Sequence, residues 1–214
     1  MLDAFGHVSA RHPQRPDRFL LPRRVPPSLV TAEDIREFTL EGALAEPDGT
    51  PVFIERFIHS EIYAARPDVQ AIIHAHAPAS VTFSVLADQP LRAICHTCGF
   101  LGTGVPRFEI RNVAGTATDL LIRNRELGRA LALCLGGHAV VLMRGHGCTA
   151  VGGSVAQAVY RAVYTETNAR IQSAAGAIGA ATFLTLEEAE AAEATAALQA
   201  ERCWQAWTEE IAGG

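Results

Sequence analysis

His74 and His76 stand two residues apart in Ala71-Ile72-Ile73-His74-Ala75-His76-Ala77. Side chains alternate along a strand, so the two imidazoles point to the same face. The apolar run Val69 to Ile73 just before them reads as a buried strand. A third histidine, His146, lies between Gly145 and Gly147, straight after the apolar run Ala139-Val140-Val141-Leu142-Met143. Two imidazoles on one strand face and a third from the end of another strand are a common way to build a divalent-cation site. The same residues also read as core histidines satisfied by backbone groups. Spacing alone leaves both readings standing.

All 18 basic residues are arginine, and no lysine occurs anywhere. Schiff-base aldol chemistry, pyridoxal-phosphate attachment and a P-loop all need a primary amine, so all three are excluded. Any activation of a carbonyl or carboxylate must therefore draw positive charge from a metal or an arginine. Cys95-His96-Thr97-Cys98-Gly99 invites a redox or zinc reading. A zinc site would need a second ligand pair, and Gly99, Gly102, Gly104 and Pro106 give loop composition instead of the helix a redox motif opens. Gly145-His146-Gly147-Cys148-Thr149-Ala150 matches a dinucleotide-binding pattern. The acidic residue about 20 positions on should end a second strand, but that distance reaches Glu166, inside a long helical stretch.

The elements that must position these residues follow from pattern. Strands are expected near Gly6–Ala10 and Arg18–Leu21, within a proline-stiffened, arginine-rich start able to receive an anionic substrate. Thr31-Ala32-Glu33-Asp34 reads as a capped acidic turn, Ile35–Leu40 as a strand, and Ala45–Thr50 as a turn. Glu55–Ala65 has helical periodicity and ends at Arg66-Pro67-Asp68, since a residue before proline avoids the helical region. Glu55 and His59, four apart, are expected on one face of that helix, and Glu61 on another in a structural role. A short helix after Pro78, a strand at Leu91–Cys95 and a helix from Asp119 to Leu135 come next. Ser154 is expected to cap a helix from Val155 to about Ala174, with Val159, Val163 and Ile171 inward. A last amphipathic helix runs from Thr185 to about Ile211, where Trp204 and Trp207 suit packing or a subunit interface.

At 214 residues the chain is expected to form a single domain, 1–214, able to bury about 70% of its unfolded surface. A hydrophobic content of 49% with mixed charge reads as globular. A net charge of −5 argues against nucleic acid as a partner, and no apolar run approaches a membrane span. The beginning, Met1 to His7, does not read as a signal peptide. Five cysteines without such a signal point to reduced thiols and a cytoplasmic location.

Taken together, Gly6-His7-Val8-Ser9-Ala10-Arg11, Glu55-Arg56-Phe57-Ile58-His59, Tyr63–Asp68 running into His74-Ala75-His76, and Leu142-Met143-Arg144-Gly145-His146-Gly147 resemble the class II aldolase/adducin family in order and spacing. The resemblance implies an α/β fold, three-layer α/β/α with a central mixed, largely antiparallel sheet, assembled as a homotetramer with active sites at subunit interfaces. It implies that His74, His76 and His146 hold one divalent ion per subunit (Zn, Mn, Fe or Co) and that Glu55 is the catalytic acid/base. The family usually has an N-terminal helix ahead of the segment at Gly6, and this sequence starts almost at that glycine.

The departures bear on substrate. Sugar-phosphate aldolases of the family have asparagine where His7 stands, a Ser/Thr-Gly element near Arg23-Arg24, and serines where this chain has Phe53-Ile54. Small hydroxyls and glycine cradle phosphate, and Phe and Ile do not. The Gly-His-Val-Ser-Ala-Arg form, with Cys95–Gly102 downstream, resembles the branch that decarboxylates hydroxylated aromatic or pyridine carboxylic acids. The expectation is a metal-dependent carbon–carbon lyase acting on a small carboxylate. His7, Ser9, Arg23, Arg24 and His96 are the candidate substrate-binding residues; His7 and the arginines suit a second carboxylate, and His96 a proton transfer. Phe53, Ile54 and Phe100 suit the faces of a planar ring. The rivals are an aldolase of unphosphorylated hydroxy-carbonyl compounds and a non-catalytic adducin-like module, the latter disfavoured by the complete ligand set.

Overall fold

The computed structural model describes residues 4–213. Met1, Leu2 and Asp3, part of the stretch read above for a signal peptide, lie outside the described residues.

The opening segment forms an antiparallel pair, β1 (His7–Arg11) and β2 (Arg18–Pro22), as its alternation predicts. A single 3-10 turn at Ala32–Asp34, boxed by Thr31 and Asp34, leads into β3 (Ile35–Thr39). Helix α1 (Arg56–Ala65) stops where Arg66 leaves helical space ahead of Pro67. Strand β4 (Ala71–Ala75) is buried throughout and is followed by α2 (Pro78–Val85). Then come β5 (Arg107–Phe108), α3 (Arg111–Ala114), α4 (Arg125–Leu135), β6 (Val140–Met143) and β7 (Gly147–Gly152). Helices α5 (Val155–Ile178), α6 (Leu186–Ala196) and α7 (Ala200–Ala212) complete the chain.

The strands form one sheet in the order β3-β2-β1-β4-β7-β6-β5. Only β5 and β6 pair in parallel, so the sheet is mixed and largely antiparallel. Each face carries a core. On one side Phe19, Leu21, Ile72, Val141 and Val151 pack against Ile58 and Ile62 of α1 and Leu131 and Leu135 of α4. On the other, Ala71, Ile73, Leu142 and Ala150 meet Phe83 of α2 and Ala158 and Ala169 of α5. This is the three-layer α/β/α arrangement. Because β4 alternates, His74 shares the face of Ile72, the side covered by α1 and α4.

Several expected elements differ, each for a local reason. Among the described residues, Leu91–Cys95 joins no strand of the sheet. Its backbone bonds partly to loops, Ala93 N–H donating to the Gly102 carbonyl while the Leu91 and Ala93 carbonyls accept from Val105 and Leu184 N–H. It bonds partly to two amides of α5: Ile94 N–H donates to Asn168 Oδ1 (3.0 Å) and Arg92 N–H to Gln172 Oε1 (3.0 Å), and the same two amides donate to the Arg92 and Pro90 carbonyls. The helix expected from Asp119 begins only at Arg125, where Asn124 Oδ1 accepts the Leu127 N–H. Leu120, at φ 70°, cannot lie in a right-handed helix. Cys95-x-x-Cys98 enters a 3-10 segment, His96–Leu101, and no α-helix. The Gly145–Ala150 pattern enters β7, antiparallel to both neighbours, which removes the dinucleotide reading. The buried face of α5 is Ala156, Ala158, Tyr160, Thr165, Asn168 and Ala169, whereas Val159 and Val163 are half-buried and Ile171 is exposed. The last helix is interrupted at Ala197–Gln199, separating α6 from α7. Among the described residues, no helix is long and apolar enough to cross a membrane.

Candidate metal centre and substrate cavity

His74 stands next to last in the buried strand β4 and His76 follows just beyond its end on the same face, while the turn after β6 delivers His146. That turn is closed by the His146 N–H bonding the Met143 carbonyl, and Gly145 takes φ 65°. Gly147 is required as well. A Cβ there would sit 2.2 Å from the Ala75 carbonyl oxygen, the strand end that places His76.

The three Nε2 atoms converge. They lie 2.9 Å apart for His74 and His76, 3.2 Å for His74 and His146, and 3.1 Å for His146 and His76. His74 Nδ1 is 3.2 Å from the Cys148 carbonyl and His146 Nδ1 is 2.9 Å from the Leu120 carbonyl. A carbonyl only accepts, so both Nδ1 atoms carry the proton and both Nε2 atoms present lone pairs. Bare lone pairs at such distances repel unless a cation lies between them. Nitrogens bound at about 2.1 Å to one ion, at octahedral or tetrahedral angles, fall roughly 3.0–3.4 Å apart. The donor set therefore fits a divalent metal, and the carbonyl partners orient the ligands as such sites require.

Glu55, just ahead of α1, is the fourth member of the cluster. Its Oε2 lies 3.4 Å from His146 Nε2 and 3.7 Å from His74 Nε2. Its Oε1 accepts the Ile122 N–H at 2.9 Å. Burial pushes this carboxyl upward, and positive charge on the His146 and His74 imidazoles, when they are protonated, together with the Ile122 N–H brings it down to about 2. With the imidazoles neutral, as metal binding requires, the Ile122 N–H remains. A cation among the imidazoles acts in the same direction. Burial holds the His74 imidazole well below its usual range, the Glu55 charge opposing only in part. The turn holding Leu120 thus orients His146 through its carbonyl and Glu55 through the Ile122 amide. Its one positive φ outside glycine sits where two functional groups are fixed.

A cavity of about 460 Å³ opens beside the cluster, bordered by His7, Arg24, Phe53, Ile54, Glu55 and His76. His7 stacks obliquely on Phe53, ring centres 4.6 Å apart. Arg24 makes no ion pair among the described residues, whereas Arg23 turns away and binds Asp34 at 2.6 Å. Of the two arginines, only Arg24 faces the cavity.

The remaining sequence candidates separate. Ser9 is on the same strand face as His7 but one pair deeper, with its Oγ 2.6 Å from His59 Nδ1 and 2.9 Å from the Tyr63 hydroxyl. His59 Nε2 in turn lies 2.7 Å from His7 Nδ1. Glu55 and His59 therefore diverge, one to the metal cluster and one to β1, because Glu55 precedes the first helical turn. His96 borders a different cavity with Tyr160 and Tyr164, on the side of the sheet that α5 covers, and Phe100 packs against Tyr160 there. Neither reaches the histidine cluster within the chain. Glu61 is structural, bound by Arg125 (2.5 Å) and Arg129 (3.1 Å). Sequence reasoning missed the backbone partners of the site, the Leu120 and Cys148 carbonyls and the Ile122 amide, for which side-chain identity carries no signal.

Residues 2–173 match the Class II Aldolase and Adducin N-terminal domain family. The chain is 38% identical to decarboxylase tropJ of Talaromyces stipitatus, covering 100% of this chain and 89% of that one. It is 36% identical to 3,4-dihydroxyphthalate decarboxylase of Arthrobacter keyseri over 66% of this chain and 55% of that one. Among solved structures, L-fuculose 1-phosphate aldolase from Glaciozyma antarctica PI12 superposes with a TM-score of 0.76 at 25% identity, covering 99% of this chain and 82% of that one.

Proposed function

We propose that this chain, which belongs to the class II aldolase and adducin family, is a metal-dependent lyase that decarboxylates hydroxylated aromatic or heteroaromatic carboxylic acids. The observation that carries this reading is the pairing of the His74/His76/His146/Glu55 cluster with a cavity walled by Phe53 and Ile54 and bearing Arg24. Flat apolar walls suit an aryl ring, a guanidinium suits a carboxylate, and nothing there resembles a hydroxyl-and-glycine cradle for phosphate.

A divalent cation held by His74, His76 and His146 supplies Lewis acidity toward an oxygen of the substrate. With its pKa at about 2, Glu55 rests as a carboxylate at neutral pH. It removes the proton of the hydroxyl next to the scissile carboxylate and returns it to the ring carbon that bears that carboxylate. That carbon becomes tetrahedral. The carbon–carboxylate bond then breaks, its electron pair restores the aromatic ring as a phenolate, carbon dioxide leaves, and solvent reprotonates the oxygen. Arg24 and His7 bind a further anionic group and orient the ring, while Phe53 and Ile54 exclude water from its faces.

The test is release of carbon dioxide from a panel of hydroxyaryl and hydroxypyridine carboxylic acids. Metal analysis and an assay for aldehyde release from unphosphorylated hydroxy-carbonyl compounds accompany it. Turnover is expected only where a hydroxyl neighbours the scissile carboxylate, lost on chelation and restored by Zn, Mn, Fe or Co. Aldehyde release without carbon dioxide, or decarboxylation of acids lacking that hydroxyl, overturns the reading.

A further inference from the structure

We propose that Tyr63, Ser9 and His59 form a buried positioning relay that fixes His7 as an Nε2–H donor toward the cavity, so that His7 selects substrates bearing a second anionic group. The cavity's substrate class rests on the decarboxylase reading above; the tautomer of His7 does not.

The links are short and directional. Tyr63 hydroxyl to Ser9 Oγ is 2.9 Å, Ser9 Oγ to His59 Nδ1 is 2.6 Å, and His59 Nε2 to His7 Nδ1 is 2.7 Å. Tyr63, Ser9 and His59 are 1%, 2% and 0% exposed, so water does not compete for these groups. The phenol decides the polarity. Among the described residues its only hydrogen-bond partner is Ser9. Were Ser9 to donate to Tyr63, the phenolic proton would be stranded in the core, at a cost of about 1–3 kcal/mol. Tyr63 therefore donates to Ser9, whose own proton goes to His59 Nδ1. That leaves His59 Nε2 protonated and donating to His7 Nδ1. With Nδ1 occupied as an acceptor, neutral His7 carries its proton on Nε2 and offers it to the cavity that it shares with Arg24. The opposite polarity would present a lone pair there, which repels a carboxylate.

Neighbouring groups hold the relay in place. Arg11 lies over the Tyr63 ring, 4.8 Å from its centre, and its guanidinium donates to the Tyr63 and Arg66 carbonyls. The Arg11 Nε–H binds the Val69 carbonyl. The relay thus spans β1 and α1, and none of its three members borders the metal cluster's cavity.

Heteronuclear nitrogen NMR of the labelled, zinc-loaded protein reads the tautomer directly, with the His7 signals assigned by their loss in His7→Asn. The expected result is a proton on Nε2 of His7 and on Nε2 of His59. In turnover, Ser9→Ala and Tyr63→Phe are expected to raise KM for a hydroxyaryl dicarboxylate about tenfold or more, the range of a lost hydrogen bond to a charged group. A matched monocarboxylate should shift much less, and metal content should hold. His59→Gln keeps an N–H donor toward His7 and should restore discrimination that His59→Leu abolishes. A His7 proton on Nδ1 overturns the proposal, as do equal KM changes for the two substrates or a Gln variant as impaired as Leu. If no acid is turned over, the decarboxylase reading fails while the NMR result still decides the relay.

Discussion

At the scale of single residues, the cluster makes distinguishable demands on its members. His146 supplies one of three convergent nitrogens, and His146→Ala is expected to abolish both metal retention and turnover, read by elemental analysis after dialysis. A fully active variant without bound metal would contradict the ligand assignment. Glu55 stands off the imidazoles at 3.4 and 3.7 Å and moves the proton in the proposed reaction, so Glu55→Gln should retain metal yet lose at least ~10²-fold in rate. The convergence of His74, His76 and His146 was legible because strand alternation and flanking glycines are sequence properties. Depth is not one: alternation placed His7 and Ser9 on one face, yet only His7 reaches the cavity. Arg23 and Arg24 were indistinguishable as letters, and Asp34, eleven positions on, decides between them.

At the scale of elements, the long helices and the strands carrying histidines were readable because burial imposes a period. The two-residue β5 and four-residue α3 are too short to show one. Leu91–Cys95 has strand composition but finds its partners in the Asn168 and Gln172 amides and in loop backbone at Gly102, Val105 and Leu184, a tertiary solution that no local pattern encodes. The closest approach of α1 and α4 is at a glycine. A Cβ on Gly128 would lie 2.5 Å from the Phe57 carbonyl oxygen and 2.9 Å from Glu61 Cγ. Gly128→Ala must therefore push α1 outward, at about 1–3 kcal/mol for overpacking. Since Glu55 precedes α1 and the three histidines sit on or just beyond the ends of β4 and β6, the expected outcome is a lower melting temperature and a lower kcat with metal content intact. An unchanged kcat would separate Glu55 placement from this helix contact.

At the scale of the whole molecule, the buried imidazoles set acid stability. Burial brings the His59 pKa down to about 3, far below the ordinary 6.5. The unfolded chain binds a proton there first, so each such histidine lowers stability as pH falls from about 6.5 toward its folded value, by up to ~1.4 kcal/mol per pH unit. Denaturant unfolding of His59→Gln should show a shallower loss between pH 6 and 4 than the parent chain, and an identical slope would mean the imidazole is not held neutral. Assembly is the larger question. We propose a homotetramer, as the resemblance implies, and the surface offers a reason for association. Val8, Ala10, Leu20, Pro22 and Ile35 border an apolar hollow of about 370 Å³ over β1 and β2, whereas α5 lies over β4 and β7. Trp207 of α7 is only half-buried against the Tyr160 cluster. Light scattering coupled to size exclusion should give four times the 22.8 kDa chain mass. An active monomer would instead mean that His96, far from the cluster within one chain, has no part in turnover. If the tetramer forms, His96→Ala tells whether an adjoining subunit's copy serves the cavity: a fall in kcat with assembly intact supports that placement, and unchanged kinetics removes His96 from the site.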